Sequence, residues 1–355
     1  MFAERLQRTR KASGLSLRAL AEAMGLSHGA IQKFEKGELL PSSTQLIQWA
    51  EATGARLEYF FRPDTHELQG IEFRKRSRLP KSAIESIKAD VLDQMERILE
   101  LESLFTNPPV KEFQVPETLP STVSSWTKIE TLAENLRHIW DLGLDPIADL
   151  TETLESNGIK VLNLNNSDDR FDGLCGYVNK TPVIVVSSLW PGDRQRFTMA
   201  HELGHIVLEG RLPDSMKEEN ACNRFASAFL APARTIQSQL GMSRNRLELR
   251  ELLFLKRELG ISMLTALFRA AELGIISVET QKNMLIQFSK RGWRTQEPEA
   301  YPAESPTLFN ALVYRALGEG LICESKAAEF FGIPVAQFHQ ARMLEDLSAA
   351  SSPHQ

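Results

Sequence analysis

The chain has 355 residues, of which 42% are hydrophobic and 25% charged, a composition typical of folded globular proteins. Its net charge of −5 excludes a protein that binds nucleic acid over its whole surface, so DNA affinity requires a local basic surface. No apolar stretch approaches the roughly 20 residues that cross a bilayer, and three cysteines outside CxxC pairs argue against a disulfide framework. The first ten residues lack the apolar core of a secretory signal, so we expect a cytoplasmic protein without a membrane partner.

Residues 1–65 are predicted to form a series of short helices. Ser16 precedes apolar residues spaced for a buried helix face, and Gly25-Leu26-Ser27 then interrupts that helix. The next predicted helix stops at Gly37, and another begins after Pro41. Two short helices joined by a glycine-containing turn are typical of a helix-turn-helix, so we predict an all-α helix-turn-helix bundle here.

Residues 66–125 are predicted to be a helical and proline-rich linker. Apolar residues recur every three or four positions between Lys81 and Leu104, which predicts one long amphipathic helix. This helix either packs against the rest of the chain or forms the seam of a coiled-coil dimer. The basic run RKRSR at 74–78 is either a solvated face or a nucleic-acid patch, and the proline-rich piece at 107–125 is predicted to be exposed.

A second domain with a mixed helix and strand pattern is predicted from about Trp126 to residue 240. Its helices and strands are expected, in chain order, at 129–142 (helix), 146–156 (helix), 159–162, 174–178 and 182–186 (strands), 194–208 and 217–230 (helices). The turn Asn179-Lys180 joins the second strand to the third. The strand at 182–186 either pairs with an extended substrate or is an ordinary sheet strand.

The rest of the chain, 241–355, is predicted to be a helical C-terminal region that ends in a disordered polar tail. The fold class predicted for the whole chain is therefore mostly α. It joins the helix-turn-helix bundle to an α+β domain with a small sheet.

The segment HELGH at 201–205 carries the chemistry that the sequence predicts. His201 and His205 are four residues apart, so both imidazoles project from one face of a helix and can hold one zinc ion. Glu202 lies beside them, where it can accept a proton from water activated by the metal. A bare HExxH pattern also arises by chance on surface helices, but apolar residues on both sides favour the zinc site here.

A catalytic zinc needs a third protein ligand and leaves its fourth position to water. The candidates are Glu218 and Glu219 at the start of the next predicted helix. Glu219 is favoured because it lies four residues before Asn223 and shares a helix face with it. Cys222 is expected to be a small buried residue rather than a ligand.

The runs RFTMAHELGHIVLE and ENACNRFASAFLAP resemble, in this order, the two motif helices of the ImmA/IrrE family of metallo-endopeptidases. The resemblance extends over residues 126–235. It implies a zincin-like peptidase domain in which His201, His205 and Glu219 bind zinc and Glu202 is the catalytic base. It also implies an endopeptidase whose protein substrate is a transcriptional repressor or related regulator, and a helix-turn-helix repressor or this chain itself is the substrate that we expect.

The run GLSLRALAEAMGLSHGAIQKFEKGELLPS resembles the Cro/C1-type (XRE) helix-turn-helix family over residues 3–63. This implies binding to double-stranded DNA, and we expect a homodimer. The DNA contacts implied by the resemblance are Arg18, Ser27, His28, Gly29, Gln32, Lys33 and Lys36. Gln32 is suited to adenine, whereas Arg18, Lys33 and Lys36 are suited to phosphates. Leu17 stands where the family usually has a phosphate-binding glutamine, and together with Gly29 it leaves few polar groups for DNA, so the alternative is a domain that only binds protein or dimerises.

Two functions therefore remain open from the sequence. The chain is either a zinc endopeptidase that cleaves a transcriptional repressor or itself, or a DNA-binding repressor or antitoxin-like regulator whose peptidase-like domain senses or binds a partner. The intact HELGH segment and Glu219 favour the enzyme, because a protease that has lost its activity usually loses a ligand or the base.

Overall fold

The structure is a computed structural model that describes residues 2–55, 57–61, 72–73, 80–165 and 171–344. The basic run at 74–78 lies outside these residues, and so do the last residues, 345–355, where the polar tail is predicted. The helices and strands of the described residues are α1 (Phe2–Ala12), α2 (Leu17–Ala23), α3 (His28–Lys36), α4 (Ser43–Thr53), α5 (Leu57–Phe61), β1 (Glu72–Phe73), α6 (Lys81–Ser103), α7 (Trp126–Ile139), α8 (Leu150–Ser156), β2 (Lys160–Leu164), β3 (Gly173–Val178), β4 (Thr181–Ser187), α9 (Gly192–Leu208), α10 (Glu218–Leu230), α11 (Ala233–Leu240), α12 (Leu249–Leu259), α13 (Met263–Glu272), α14 (Val278–Lys290), α15 (Leu308–Gly318), α16 (Glu324–Phe331) and α17 (Val335–Arg342).

Residue contacts group the chain into two compact units. The first unit comprises residues 1–71, 78–109 and 307–355, and the second comprises residues 72–77 and 110–306. This grouping divides the predicted linker at 66–125 and the predicted C-terminal region at 241–355 between the two units, and the four segment boundaries remain predictions.

The first unit contains the helix-turn-helix formed by α2 and α3. The Ser16 and Ser27 hydroxyls accept hydrogen bonds from backbone N–H groups in the first turns of these helices, and the glycine at the end of α3 adopts a φ of 72°. Phe34 and Trp49 pack edge to face in the core of the bundle. Arg10 of α1 holds α3 by an ion pair with Glu35 at 2.5 Å.

The long helix α6 packs within the first unit, as one of the two alternatives predicted. Val91, Met95 and Leu101 on its apolar face are fully buried. Glu96 of α6 forms an ion pair at 2.5 Å with Arg5 of α1, and both side chains are almost completely buried. Towards its C-terminal end α6 joins a hydrophobic cluster with α15, α16 and α17. The apolar residues that recur along the sequence of α6 therefore pack against the other helices of the first unit.

The second unit contains a four-stranded sheet in the order β1-β3-β4-β2. β4 pairs in parallel with β2 and antiparallel with β3, and Asn179 in the two-residue turn between β3 and β4 has a φ of 57°. Both edges of β4 are therefore occupied by neighbouring strands. The alternative in which residues 182–186 pair with an extended substrate is wrong, and β4 is an ordinary interior strand.

One core fills the space between the sheet and the helices of the second unit, and it includes buried residues from α7 to α14. Leu119 and Val123 of the proline-rich piece belong to this core and are 4% and 0% exposed. A Cβ at Gly158 would lie 2.4 Å from the carbonyl oxygen of Lys111, so the backbone of this piece also packs tightly. The prediction that residues 107–125 are exposed is therefore wrong at these points, because apolar side chains anchor the piece.

The predicted fold class is confirmed. The protein is mostly helical, with an all-α helix-turn-helix bundle, an α+β domain containing a small sheet, and helices that continue towards the C-terminus.

Candidate metal centre and nucleic-acid interface

A close approach between α9 and α10 builds the candidate metal centre in the second unit. Gly204 faces α10, and a Cβ there would lie 3.2 Å from Cα of Cys222 and 3.1 Å from a ring carbon of Phe225. A side chain at residue 204 would thus hold the two helix backbones apart. Since Cys222 and Phe225 lie further along α10, this contact brings the acidic first turn of α10 up to the histidines of α9.

The structure brings His201, His205 and Glu219 together, and their ligand atoms all lie within 4.8 Å of one another. The two Nε2 atoms of the histidines are 3.2 Å apart. The two carboxylate oxygens of Glu219 lie 3.4 Å from Nε2 of His201 and 3.6 Å from Nε2 of His205. Two ring nitrogens and a carboxylate thus converge on one point.

The Nδ1 atoms of the same two histidines have other partners. Nδ1 of His201 lies 2.9 Å from Oδ1 of Asn223, and Nδ1 of His205 lies 2.9 Å from Oε1 of Glu218. A partner on Nδ1 favours the tautomer that leaves Nε2 available as a ligand atom. Glu218 therefore orients a histidine, whereas Glu219 faces the Nε2 atoms.

The donor set fits a zinc ion. Zinc binds nitrogen and oxygen ligands at about 2.0–2.2 Å with tetrahedral geometry, which places neighbouring ligand atoms about 3.3 Å apart. The separation of 3.2 Å between the two Nε2 atoms is close to this value, and each Nε2 atom has a different oxygen of Glu219 within 3.6 Å. The Glu219 side chain is 45% exposed, so the cluster is open to solvent on that side.

Glu202 points into the second unit beside this cluster and is 9% exposed. Burial raises the pKa of its carboxyl group, while the charge of His201 and hydrogen bonds from the thiol and backbone N–H of Cys175 oppose the rise. Cys175 lies in β3 and is itself 1% exposed. The hydrogen bonds show that β3 runs past the carboxylate of Glu202.

The outer edge of β3 follows from its hydrogen bonding to β4. The Ser187 N–H donates to the carbonyl oxygen of Asp172 at 2.9 Å. Because bonded and non-bonded pairs alternate in an antiparallel ladder, the backbone groups of Leu174 and Gly176 also face β4. The backbone groups of Cys175 and Tyr177 therefore face outward, on the edge that reaches Glu202.

The predicted DNA contacts are all exposed in the first unit. They lie on α2, at the N-terminus of α3 and along the outer face of α3, and comprise Arg18, Ser27, His28, Gly29, Gln32, Lys33 and Lys36. The Ser27 hydroxyl accepts a hydrogen bond from the Ala30 N–H at 3.2 Å, so it caps α3 as well. The opposite face of α3 is held by buried Ile31 and Phe34, which leaves the polar face to solvent.

Comparison with known proteins agrees with both parts of this description. Residues 154–271 match the family model for the IrrE N-terminal-like domain, Peptidase_M78, and residues 6–60 match the model for a helix-turn-helix domain. The chain thus joins an IrrE/ImmA-like Peptidase_M78 domain to an N-terminal helix-turn-helix domain of the XRE type, as the sequence predicted. No curated protein matches the chain.

These matches identify one domain of a DNA-binding type and one metallopeptidase-like domain. The family of the second domain suggests a metal at the cluster of His201, His205 and Glu219. Among the described residues, no helix combines the length and apolarity that a membrane crossing needs.

Sequence reasoning missed three contributors to the metal centre. The role of Gly204 depends on how closely two helices approach, and Cys175 reaches Glu202 only through the fold of the sheet. Consecutive residues of a helix point in different directions, so the sequence favoured Glu219 over Glu218 as the ligand. It did not reveal that Glu218 meets the far side of His205.

Proposed function

We propose that the chain is a zinc-dependent endopeptidase, carried to DNA by its helix-turn-helix, that cleaves a transcriptional regulator in the cytoplasm. The observation that carries this proposal is the convergence of His201, His205 and Glu219 at separations suited to one zinc ion, with Glu202 beside them. Three protein ligands leave a fourth position open, which is the arrangement of catalytic rather than structural zinc sites.

His201, His205 and Glu219 would hold the zinc ion, which when bound would supply a Lewis acid for the peptide carbonyl and lower the pKa of water at the site. Glu202 then accepts the proton of the attacking water and delivers it to the nitrogen of the leaving amine.

The outer edge of β3 is the part of the sheet that supports substrate binding. An extended peptide that follows the outer edge of β3 past Cys175, whose N–H donates to Glu202, lies next to the carboxylate of Glu202. Main-chain hydrogen bonds of this kind orient the peptide whatever its side chains are. We therefore place strand addition at β3 rather than at β4, which β2 and β3 flank along its length, and the occupant of the proposed edge is β1, which pairs with Tyr177 and Gly176.

The helix-turn-helix supports a substrate that is found on the same DNA. Tethering a protease beside a bound repressor raises the local concentration of the two proteins to roughly millimolar for a short flexible connection. A helix-turn-helix repressor is therefore the substrate class that we propose, and the chain itself is the other member of that class. Within the chain, residues 107–125 are a poor target because Leu119 and Val123 are buried.

DNA binding is assigned to the exposed face of α2 and α3. Gln32 offers an amide for base recognition, and Arg18, Lys33 and Lys36 offer charges for phosphates. Ser27, His28 and Gly29 form the N-terminal end of α3, the end that approaches base edges in this class of domain. A homodimer is part of the proposal, since two half-sites would double the contact surface.

The test is mass spectrometry of purified helix-turn-helix repressors, encoded beside this chain, after incubation with the zinc-loaded protein. The chain itself is analysed in the same samples. We expect one defined internal cut in a repressor or in the chain, absent with Glu202→Gln and absent after zinc is removed by a chelator. Intact repressors and an intact chain, together with cleavage of an unrelated protein, would contradict the proposed substrate class.

A further inference from the structure

The short strand β1 lies on the outer edge of β3. Glu72 is paired with Tyr177, and Phe73 is paired with Gly176, in antiparallel register. Both strands belong to the second unit. In the sequence, β1 falls between the helix-turn-helix and α6, whose residues belong to the first unit. The chain thus adds a strand of its own to the sheet from a segment outside the peptidase region.

β1 uses the edge of β3 that also reaches the catalytic glutamate. The backbone groups of Tyr177 face away from β4, as those of Cys175 do, so Glu72 and Tyr177 form the hydrogen-bonded pair between β1 and β3. From Glu72 to Phe73, β1 runs towards the position opposite Cys175. Cys175 in turn donates hydrogen bonds to Glu202. One residue along a strand is about 3.4 Å, so β1 ends next to the reacting position.

Two strands cannot pair with one edge at the same place. A peptide that extends along β3 from Cys175 to Tyr177 needs the backbone groups that β1 engages. An antiparallel ladder selects for extended backbone and not for a given side chain, so β1 and a foreign peptide are equivalent occupants of this edge.

We propose that β1 is an internal competitor that occupies the substrate-binding edge of β3 and lowers the apparent affinity for substrate. The proposal rests on the proposed endopeptidase function for its consequence, although the occupancy of the edge is a separate property. Because β1 is part of the chain, it acts at a high effective concentration. Because two of the described residues, Glu72 and Phe73, make this pairing, a peptide that pairs along more of β3 displaces β1.

The test compares two substitutions at one residue. Glu72→Pro removes the backbone N–H of the bonded pair and cannot donate to Tyr177, whereas Glu72→Thr removes the same charge but keeps the donor. The probe is a labelled synthetic peptide with the sequence of residues 70–78, GIEFRKRSR, and its binding to the zinc-loaded full-length proteins is followed by fluorescence anisotropy. Circular dichroism and zinc content establish that the variants are folded.

We expect the peptide to bind Glu72→Pro about tenfold more tightly, or more, than it binds the wild type or Glu72→Thr. Hydrogen exchange at the Tyr177 amide should also accelerate in Glu72→Pro alone. Equal affinity for all three proteins, or no binding to any, would overturn the proposal. On a cleaved peptide substrate, Glu72→Pro should lower KM and leave kcat unchanged.

Failure of the proposed function has a different outcome. Tighter binding of the peptide to Glu72→Pro without cleavage of any peptide would support the proposal that β1 occupies the edge and contradict the proposed endopeptidase function. Cleavage by the wild type, with identical KM values in all three proteins, would support the endopeptidase function and contradict the proposal that β1 competes with substrate.

Discussion

Oδ1 of Asn223 lies 2.9 Å from Nδ1 of His201, on the far side of the ring from the metal-facing nitrogen. Glu218 stands in the same relation to His205. The first half of α10 thus supplies two groups that orient the histidines of α9, and between them Glu219 faces both Nε2 atoms. Glu218 and Glu219 are neighbours on one helix, but Glu218 contacts Nδ1 of His205 whereas Glu219 faces the Nε2 atoms. A matched pair of substitutions can separate these two roles.

We predict that Glu219→Ala loses most of its bound zinc, because one of three ligands is removed. Glu218→Ala should still take up one equivalent of zinc, with an affinity about 10–100-fold lower because His205 loses its orienting partner. Elemental analysis after gel filtration gives the stoichiometry, and competition with a chromophoric chelator gives the affinity. The reverse order, with Glu218→Ala losing the metal and Glu219→Ala retaining it, would show that the ligand is misassigned.

Gly204→Ala should weaken both the fold and the metal centre. The added methyl group meets Cα of Cys222 and the ring of Phe225, and overpacking of this kind typically costs about 1–3 kcal/mol. We expect a lower melting temperature and a weaker zinc affinity, measured by calorimetry and chelator competition. The control is Gly318→Ala at the end of α15, where nothing lies within 4 Å of the added atom and a neutral or slightly stabilising effect is expected. Equal effects of the two substitutions would contradict the close approach of α9 and α10.

The spacing of residues along helices made much of the fold and the centre predictable. The four-residue interval fixed which face His201 and His205 share, and the same rule favoured Glu219 over Glu218. Serine caps and a left-handed glycine marked the ends of α2 and α3 correctly, because these signals act within one turn of chain.

What escaped prediction depends on contacts between distant segments. The pattern of residues 182–186 does not reveal that neighbours cover both edges of β4, since strand order is a property of the whole sheet. Residues 107–125 have a linker-like composition, yet a few apolar side chains such as Val123 anchor them in the core. The pairing of Glu72 with Tyr177 joins segments about a hundred residues apart, and no local sequence pattern predicts such a pairing.

Substitutions on α3 should separate base reading from phosphate binding. Gln32→Ala should cost about 1–3 kcal/mol of discrimination at one base pair, because the amide pairs with one base edge. Lys36→Ala should weaken binding to all sequences alike and reduce the slope of log affinity against log salt by about one. Both are measured by mobility shift with an operator selected from random duplexes and its single-base variants. A loss with Gln32→Ala that is the same at every base position would exclude a base-reading role.

The stability of the first unit should depend on the ionisation of Asp90 in α6. Burial, followed by the charge of Asp93, raises the pKa of Asp90 from 3.8 to about 7. The folded state therefore holds the proton more tightly than the unfolded state. The resulting stabilisation is complete below about pH 3.8 and is lost as the pH rises through about 7.

Asp90→Asn carries no such charge, so its melting temperature relative to the wild type should increase between pH 5 and pH 8 and change little above that. The control is Glu22→Gln, which removes one exposed carboxylate from α2 of the same unit and should show no such trend. Parallel pH profiles for wild type and Asp90→Asn in calorimetry would contradict the raised pKa.

The most direct test of the metallopeptidase assignment is the zinc content and the peptide turnover of Glu202→Gln, measured on the same preparation as the wild type. The amide has nearly the same shape as the carboxylate but cannot accept the proton of the attacking water. We predict one equivalent of zinc in both proteins and turnover in the wild type alone. Turnover by Glu202→Gln at the wild-type rate, with zinc bound, would contradict the assignment.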